Sequence, residues 1–484
     1  MAQITRSSNS SKSYDSKAAR LLIPEFRLLD VRFSDNFESP AAPKHDFYQS
    51  HKGYYPNFPV IIQGDGTPWE IGNLYLVHRL LSSLNYESRS FRGKADHLLD
   101  YLRFLEDEDL DFLYFPENDL LKVTYRYRRR LADQIIAGEL KRGTGSARIN
   151  AVVGFYKTLM RNGLVSESDF KHEPFEIVKK YVSIESNFGL SKLLHVESHN
   201  LAISAPKQQS APGYINDGGL LRPLSVEEQE KVLVALLSSS REYQLIFYLA
   251  LFTGARIQTV CTIRVRHIWQ ALDGDGDLRM PIGAGTGVDT KFGRPMTLKI
   301  PGWLVQDLRI YSRSMESSKR RDKSFYGNVD DNYLFLANTG SEYYTSKREI
   351  LDRGRTAQGE QSDDRAYGSI REGATIRQYV TETILPRIRA EDSEFLKFRF
   401  HDLRATFGMN LLEDELEHRG EGGTMAALEH VQQRMGHRDK RVTLQYLNYK
   451  TDMTRKANIM SRYEARLFKH VNTTVSFDFG SNEQ

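Results

Sequence analysis

The sequence predicts a mainly α-helical chain with a small antiparallel sheet, an α+β fold divided between two helical regions. Apolar residues recur at three- and four-residue spacing through four stretches between Trp69 and Gly163. A capping-box signature at Ser225 opens a second helical region, where residues 243–253 are apolar on every side and so read as a buried helix. Residues 280–300 alternate on either side of a glycine-rich turn, as a β-hairpin does. A chain of 484 residues exceeds what one core accommodates, so two or three domains are expected.

Residues 1–65 read as an N-terminal extension or arm: a Ser/Asn/Lys-rich start, then a few short strands such as 58–63 and a GDG turn at 64–66. Residues 66–165 read as a four-helix bundle. Its apolar stripes are Leu74, Val77, Leu81 and Leu84, then Ala95, Leu98, Leu99, Leu102 and Leu105. The third is Leu120, Val123, Tyr127, Leu131 and Ile135, ending at Gly138. The fourth is Ile149, Val152, Val153, Tyr156 and Met160, with Ser146 as N-cap and Gly163 just past the end. The third helix carries YRYRRR, with Arg126, Arg128, Arg129 and Arg130, and KRGTGSAR leads into the fourth with Lys141, Arg142 and Arg148. Cations clustered among aromatics on one bundle suit phosphate contact better than a merely solvated helix face. Residues 166–222 lose periodicity, collect prolines and a Gly218–Gly219 pair, and read as a linker.

The second domain, 223–484 with a C-terminal tail, holds the singular residues. LFTGAR places Arg256 at a helix start just past a buried helix, where a lone arginine needs an anionic partner. Lys291 follows the glycine-rich turn GAGTG, while Lys299 falls on the returning strand of Met296, Leu298 and Ile300 and reads as a solvated strand residue. A helix containing Pro386 precedes FRFHDLRATFGMNLL, where His401 and Arg404 share a helix face near its N-terminus, a place that favours a bound phosphate. Then RMGHRDKRVTLQYLNY places His437 nine residues ahead of Tyr446. The neighbouring Arg434, Arg438, Lys440 and Arg441 predict an easier loss of the Tyr446 proton. Residues 312–375 read as a polar, irregular insertion apart from 333–337.

Composition bounds the rest. With 40% hydrophobic and 27% charged residues the chain is globular, and a net charge of +4 does not announce a polyanion partner. The one cysteine, Cys261, excludes a disulfide framework and fits a reducing compartment as a small core residue. No apolar run approaches membrane-spanning length and the polar start has no signal-peptide core, so a cytoplasmic protein without a membrane partner is expected. HRD at 437–439 and DFG at 478–480 mimic kinase signatures, but the asparagine such a site needs is Leu444 and no glycine-rich loop with a strand lysine precedes them. GAGTG does not open a helix and so is not a dinucleotide site. His418, His430 and His437 lack metal-binding spacing, so no metal is expected.

Five ordered elements carry a resemblance: TGAR (253–256), the hairpin lysine at 291, HDLRATF (401–407), MGH (435–437), and a tyrosine nine residues on. In order and spacing they resemble the tyrosine recombinase (phage integrase) family over 222–455, and the bundle at 66–165 looks like that family's core-binding domain. One departure is Thr259, where many members carry an acid three residues after the first arginine, leaving support for Arg256 to another group such as Gln258. The resemblance implies a catalytic set of Arg256, Lys291, His401, Arg404, His437 and Tyr446, and no cofactor, nucleotide or metal. Tyr446 would be the nucleophile, forming a 3′-phosphotyrosine on double-stranded DNA, with Tyr449 the rival. Arg256 and Arg404 would clamp the non-bridging oxygens, and Lys291 would protonate the leaving 5′-oxygen. His401 would take and return the tyrosine proton, and His437 would hydrogen-bond the phosphate. The resemblance further implies a clamp around duplex DNA and a tetramer on two sites, and it leaves open whether accessory proteins take part. Length beyond a minimal enzyme favours the integrase of a mobile element. The alternatives are a chromosome-dimer resolvase and a catalytically silent DNA-binding regulator.

Overall fold

A computed structural model describes residues 14–33, 45–83, 86–166, 170–185, 191–204, 213–356 and 370–453. It is mainly α-helical with small two-stranded antiparallel sheets. The chain divides into two compact units, one of Met1–Gln209 with Ile350–Ile370, the other of Ser210–Glu349 with Arg371–Gln484.

The first unit opens with β1 (Ala19–Phe33) and β2 (His45–Ile62), paired antiparallel from Ala19↔Ile62 to Phe33↔His45 with a register shift between Arg27 and Leu29. This is a long hairpin where the sequence suggested short strands. Pro24, Pro56 and Pro59 argue against a central strand, but a two-stranded ribbon has a free edge on each strand, where a missing N–H costs nothing. Four helices follow: α1 (Glu70–Leu81), α2 (Ser88–Asp107), α3 (Val123–Ile136) and α4 (Arg142–Arg161). The expected stripe of α2 is wholly buried, joined by Phe91, Tyr101 and Phe104. Each such side chain removed from water contributes roughly 1.5–3 kcal/mol.

Three stripes need correction. In α1 the buried face is Gly72, Tyr75, Leu76 and Leu80, whereas Leu74 and Leu81 are exposed and Leu84 lies outside the described residues. Leu120 is exposed in a 3-10 turn ahead of α3, and Met160 is partly exposed at the end of α4. Helix α4 starts a turn earlier than expected, with Lys141 rather than Ser146 at its N-cap. The expected linker contributes β3 (Ile177–Glu185) and β4 (Ser191–His199), an antiparallel pair flanked by Phe175 and Leu201 in the core of the bundle. Its strands mix Lys, Ser, Glu and His with apolar residues and show no clean alternation.

In the second unit a short hairpin, β5 (Ile215–Asn216) and β6 (Leu220–Leu221), precedes α5 (Val226–Leu237), which opens on the predicted Ser225/Glu228 capping box. The buried helix α6 (Arg241–Thr253) ends at Gly254 in the left-handed region, and α7 (Ile257–Thr262) and α8 (Val265–Ile268) follow. β7 (Leu278–Ile282) and β8 (Met296–Ile300) form the expected hairpin, paired from Leu278↔Ile300 to Ile282↔Met296. α9 (Gly302–Ser312) and α10 (Met315–Asp322) follow, and α11 (Lys347–Thr356) starts at the end of this segment, so the supposed irregular insertion contains the helices α10 and α11. Its polarity is internal. Fully buried Arg264 lies between the rings of Tyr326 and Tyr333 and donates to Ser346, and Arg320 pairs with buried Glu242.

α12 (Ala374–Tyr379) runs through a π-turn at Val380–Ile384 into α13 (Leu385–Glu391). Pro386 accounts for the π-turn, because its ring clashes with the carbonyl four residues back and it has no N–H to give. The unit closes with α14 (Asp402–Arg419), α15 (Thr424–Met435) and a helix α16 over 440–453.

Candidate active site

Arg256 is the N-cap of α7, set there by the left-handed Gly254 that stops α6. A side chain at Gly254 would collide with Phe407, 2.5 Å from the position of its Cβ, so no larger residue fits this stop. His401 is the N-cap of α14, and Arg404 lies one turn inside it. His437 follows the left-handed Gly436 that ends α15, and Tyr446 projects from α16.

These side chains converge on one carboxylate, Asp217, in the turn between β5 and β6. Arg256 reaches its Oδ1 at 3.0 Å, while Arg404 Nε and His437 Nε2 reach its Oδ2 at 2.7 and 3.1 Å. The Tyr446 hydroxyl faces the same Oδ2 at 3.4 Å, and His401 Nε2 lies 3.3 Å from the Asp217 carbonyl. The Lys291 ammonium reaches the adjoining residue, 3.2 Å from where a Gly218 Cβ would stand. All six predicted residues meet here. Arg404 also donates to Gly254 O and Met435 O at 2.7 and 2.6 Å, so the ends of α6 and α15 hold its guanidinium.

Burial dominates the electrostatics. It lowers His401 to about 4, with Arg256 and Arg404 adding to the effect, so the imidazole is neutral at neutral pH. Burial also lowers His437, against the Asp217 hydrogen bond, and His437 Nδ1 is paired with Thr443 Oγ1 at 3.0 Å. Arg256 falls to about 10 and stays protonated. For Asp217 burial pulls upward, but the His437 hydrogen bond and the two arginines prevail and hold its carboxyl well below the usual range.

Tyr446 corrects the expectation of easy proton loss. Its ring is fully buried, and burial followed by the Asp217 charge raises its pKa, with Arg404 and Arg256 opposing. The four bases predicted to act on it point elsewhere: Arg434, Arg438 and Lys440 line a cleft with Arg279, Arg294 and Lys299, and Arg441 is exposed. Tyr449 is half-buried against the same apolar cluster as Tyr446. Lys299 is paired with Asp277 at 3.0 Å on its strand, whereas Lys291 is exposed beside the Phe292 ring.

Asp217 escaped the sequence reading because it lies in the presumed linker. The available signal was an acid in an Asn-Asp-Gly-Gly turn just ahead of the Ser225 capping box. Thr259 does not support Arg256; its hydroxyl donates to Asp289 O at 2.9 Å and steadies the loop leading to Lys291. Gln258 hydrogen-bonds the Asp289 side chain, so the acid beside Arg256 is Asp217.

The bundle arginines divide. Arg126 pairs with Glu108 at 2.6 Å, and Arg130 lies 3.8 Å from that carboxylate and 4.4 Å over Tyr14. Arg128 donates to Leu201 O at 3.2 Å. Arg148 neutralises buried Asp100 at 3.0 Å, an internal task that makes it a strut of the bundle. Arg129, Lys141 and Arg142 are exposed, and Arg126, Arg129 and Arg130 border one open cavity.

Among the described residues no group of three or more His, Cys, Asp or Glu could hold a metal ion, and no helix is long and apolar enough to cross a membrane. No family model matches the sequence, and no curated protein does. Solved structures to which the chain is similar are tyrosine recombinases and integrases. One is the Tn1549 transposon integrase in complex with circular intermediate DNA, at 13% identity and a TM-score of 0.43 over 78% of this chain and 94% of that one. Another is the XerH site-specific recombinase bound to a palindromic difH substrate, at 15% and 0.43 over 81% and 95%. A lambda integrase dimer bound to a COC′ core site gives 13% and 0.37 over 78% and 94%.

Proposed function

We propose that the protein is a site-specific DNA recombinase that cuts and rejoins duplex DNA through a 3′-phosphotyrosine, acting as the integrase of a mobile element. The convergence of Arg256, Arg404, His437 and Tyr446 on one carboxylate carries this reading, because such a pocket matches a single phosphodiester group in charge and in acceptors. The first unit, with its basic bundle, would also contact DNA, and four protomers would assemble on two sites.

In the reaction the Tyr446 oxygen attacks phosphorus and the bond from phosphorus to the 5′-oxygen breaks. The bond energy stays in the phosphotyrosine, so rejoining needs no ATP. Charge growing on the non-bridging oxygens falls to Arg256 and Arg404, whose guanidinium groups already point at a shared anion position. His401, neutral above about 4, can accept the tyrosine proton, and His437 donates to the phosphate through Nε2. Lys291 gives the departing 5′-oxygen its proton.

A nicked duplex carrying the target site should trap a denaturant-stable protein–DNA adduct in excess EDTA. Strict dependence on added magnesium would refute the mechanism.

Lys291→Ala should cleave ordinary DNA ~10²-fold more slowly yet recover most of its rate on a 5′-bridging phosphorothiolate, whose thiolate leaves without a proton. Arg256→Ala should gain nothing from the sulfur. Rescue of Lys299→Ala in place of Lys291→Ala would move the acid along the hairpin.

A further inference from the structure

The centre of the proposed phosphate pocket is already filled. The Asp217 side chain, 5% exposed, takes the hydrogen bonds of Arg256, Arg404 and His437 and faces Tyr446. Its single negative charge equals that of a phosphodiester, and its two oxygens stand where two non-bridging oxygens would. Both cannot occupy the site together. The carboxylate arrives on a two-residue hairpin of small extent, its turn closed by Asp217 N donating to Gly219 O at 3.1 Å. One tether of that hairpin is Asn216 N on Gln445 Oε1 at 2.8 Å, next to the nucleophile in sequence, and Ile215 and Leu221 share the apolar cluster around Tyr446.

We propose that the β5–β6 turn is a built-in substrate mimic: Asp217 occupies the anion pocket in the absence of DNA and must swing out before a scissile phosphate can enter. The idea rests on the phosphodiester reading of the site. A pocket closed in this way keeps the arginines paired and the tyrosine protonated, and it lowers apparent affinity for any phosphate by the fraction of molecules that are open. Specific DNA, with many contacts elsewhere, displaces the turn; a stray phosphodiester does not. The competing role for Asp217 is a permanent strut that positions the two arginines.

Asp217→Asn separates the two. It keeps the shape, removes the charge, and leaves Arg256 and Arg404 seeking an anion. The variant should melt lower than wild type in anion-poor buffer, and inorganic phosphate should raise its melting temperature far more than it raises the wild type's. Its covalent adduct with nicked DNA should form at least ~10-fold faster. Gln445→Ala, which cuts the tether and keeps the carboxylate, should move both readouts the same way by less, and it serves if Asp217→Asn does not fold. An adduct that forms more slowly or at an unchanged rate makes Asp217 a strut and overturns the proposal. If neither wild type nor variant forms an adduct, the recombinase reading fails, and the phosphate-induced gain in melting temperature alone then upholds or overturns the mimic.

Discussion

Tyr446→Phe is expected to abolish the covalent protein–DNA adduct, a loss on the order of 10⁴-fold or more, while duplex binding and thermal stability stay close to wild type. The side chain is fully buried against α14, where a Cβ on Gly408 would lie 2.5 Å from its ring, so Phe fills the same space without strain. What disappears is a hydroxyl whose contact is the 3.4 Å approach to Asp217. Trapping on nicked DNA measures the adduct, and gel mobility measures binding. Tyr449→Phe is the control, since that ring packs against the cluster and should react normally. An adduct that persists in Tyr446→Phe and vanishes in Tyr449→Phe would show that the other tyrosine attacks.

Arg404→Ala should cost both chemistry and folding. Its guanidinium is 3% exposed and serves Asp217 and two backbone carbonyls, so its loss strands a buried carboxylate and two helix-end acceptors. Breaking a buried pair of this kind costs about 3–5 kcal/mol, enough to lower the melting temperature by many degrees. Cleavage should fall by at least ~10²-fold beyond any loss of folded protein. Arg256→Ala should slow cleavage comparably with a smaller stability loss, because its side chain is 25% exposed and, among the described residues, its ion pair is with Asp217 alone. Denaturant unfolding and single-turnover cleavage, measured on the same preparations, separate the two effects. Equal stability losses from both substitutions would contradict the division of labour drawn from their contacts.

Legibility in the sequence followed local signals. The capping box at Ser225, the buried helix ending at residue 253 and the alternation of β8 each encode a backbone event within a few residues, and each is where it was expected. The motif residues were legible because a buried arginine or a histidine at a helix end has few bland explanations. Asp217 was not, because what makes it central is its meeting with Tyr446, 229 residues away. Short spacing cannot encode such a contact. The long β1–β2 ribbon was hidden by its prolines, and the ordered 312–349 stretch by polar side chains that turn inward to pair with each other. The stripe of α1 failed because leucines stand on both faces of that helix, and the face that packs is the one that also carries Tyr75.

The anchoring of Arg404 to Gly254 O and Met435 O also bears on how an inactive descendant of this chain would look. An arginine that ties two helix ends together is retained for architecture even after a protein stops cutting DNA, so its presence says little about catalysis. Lys291 stands at the opposite extreme, exposed on a loop beside Phe292, whereas Lys299 on the returning strand is paired with Asp277. Folding places almost no demand on it. On the proposed mechanism, a lineage drifting toward silent DNA binding would lose the hairpin lysine first and the buried arginine last.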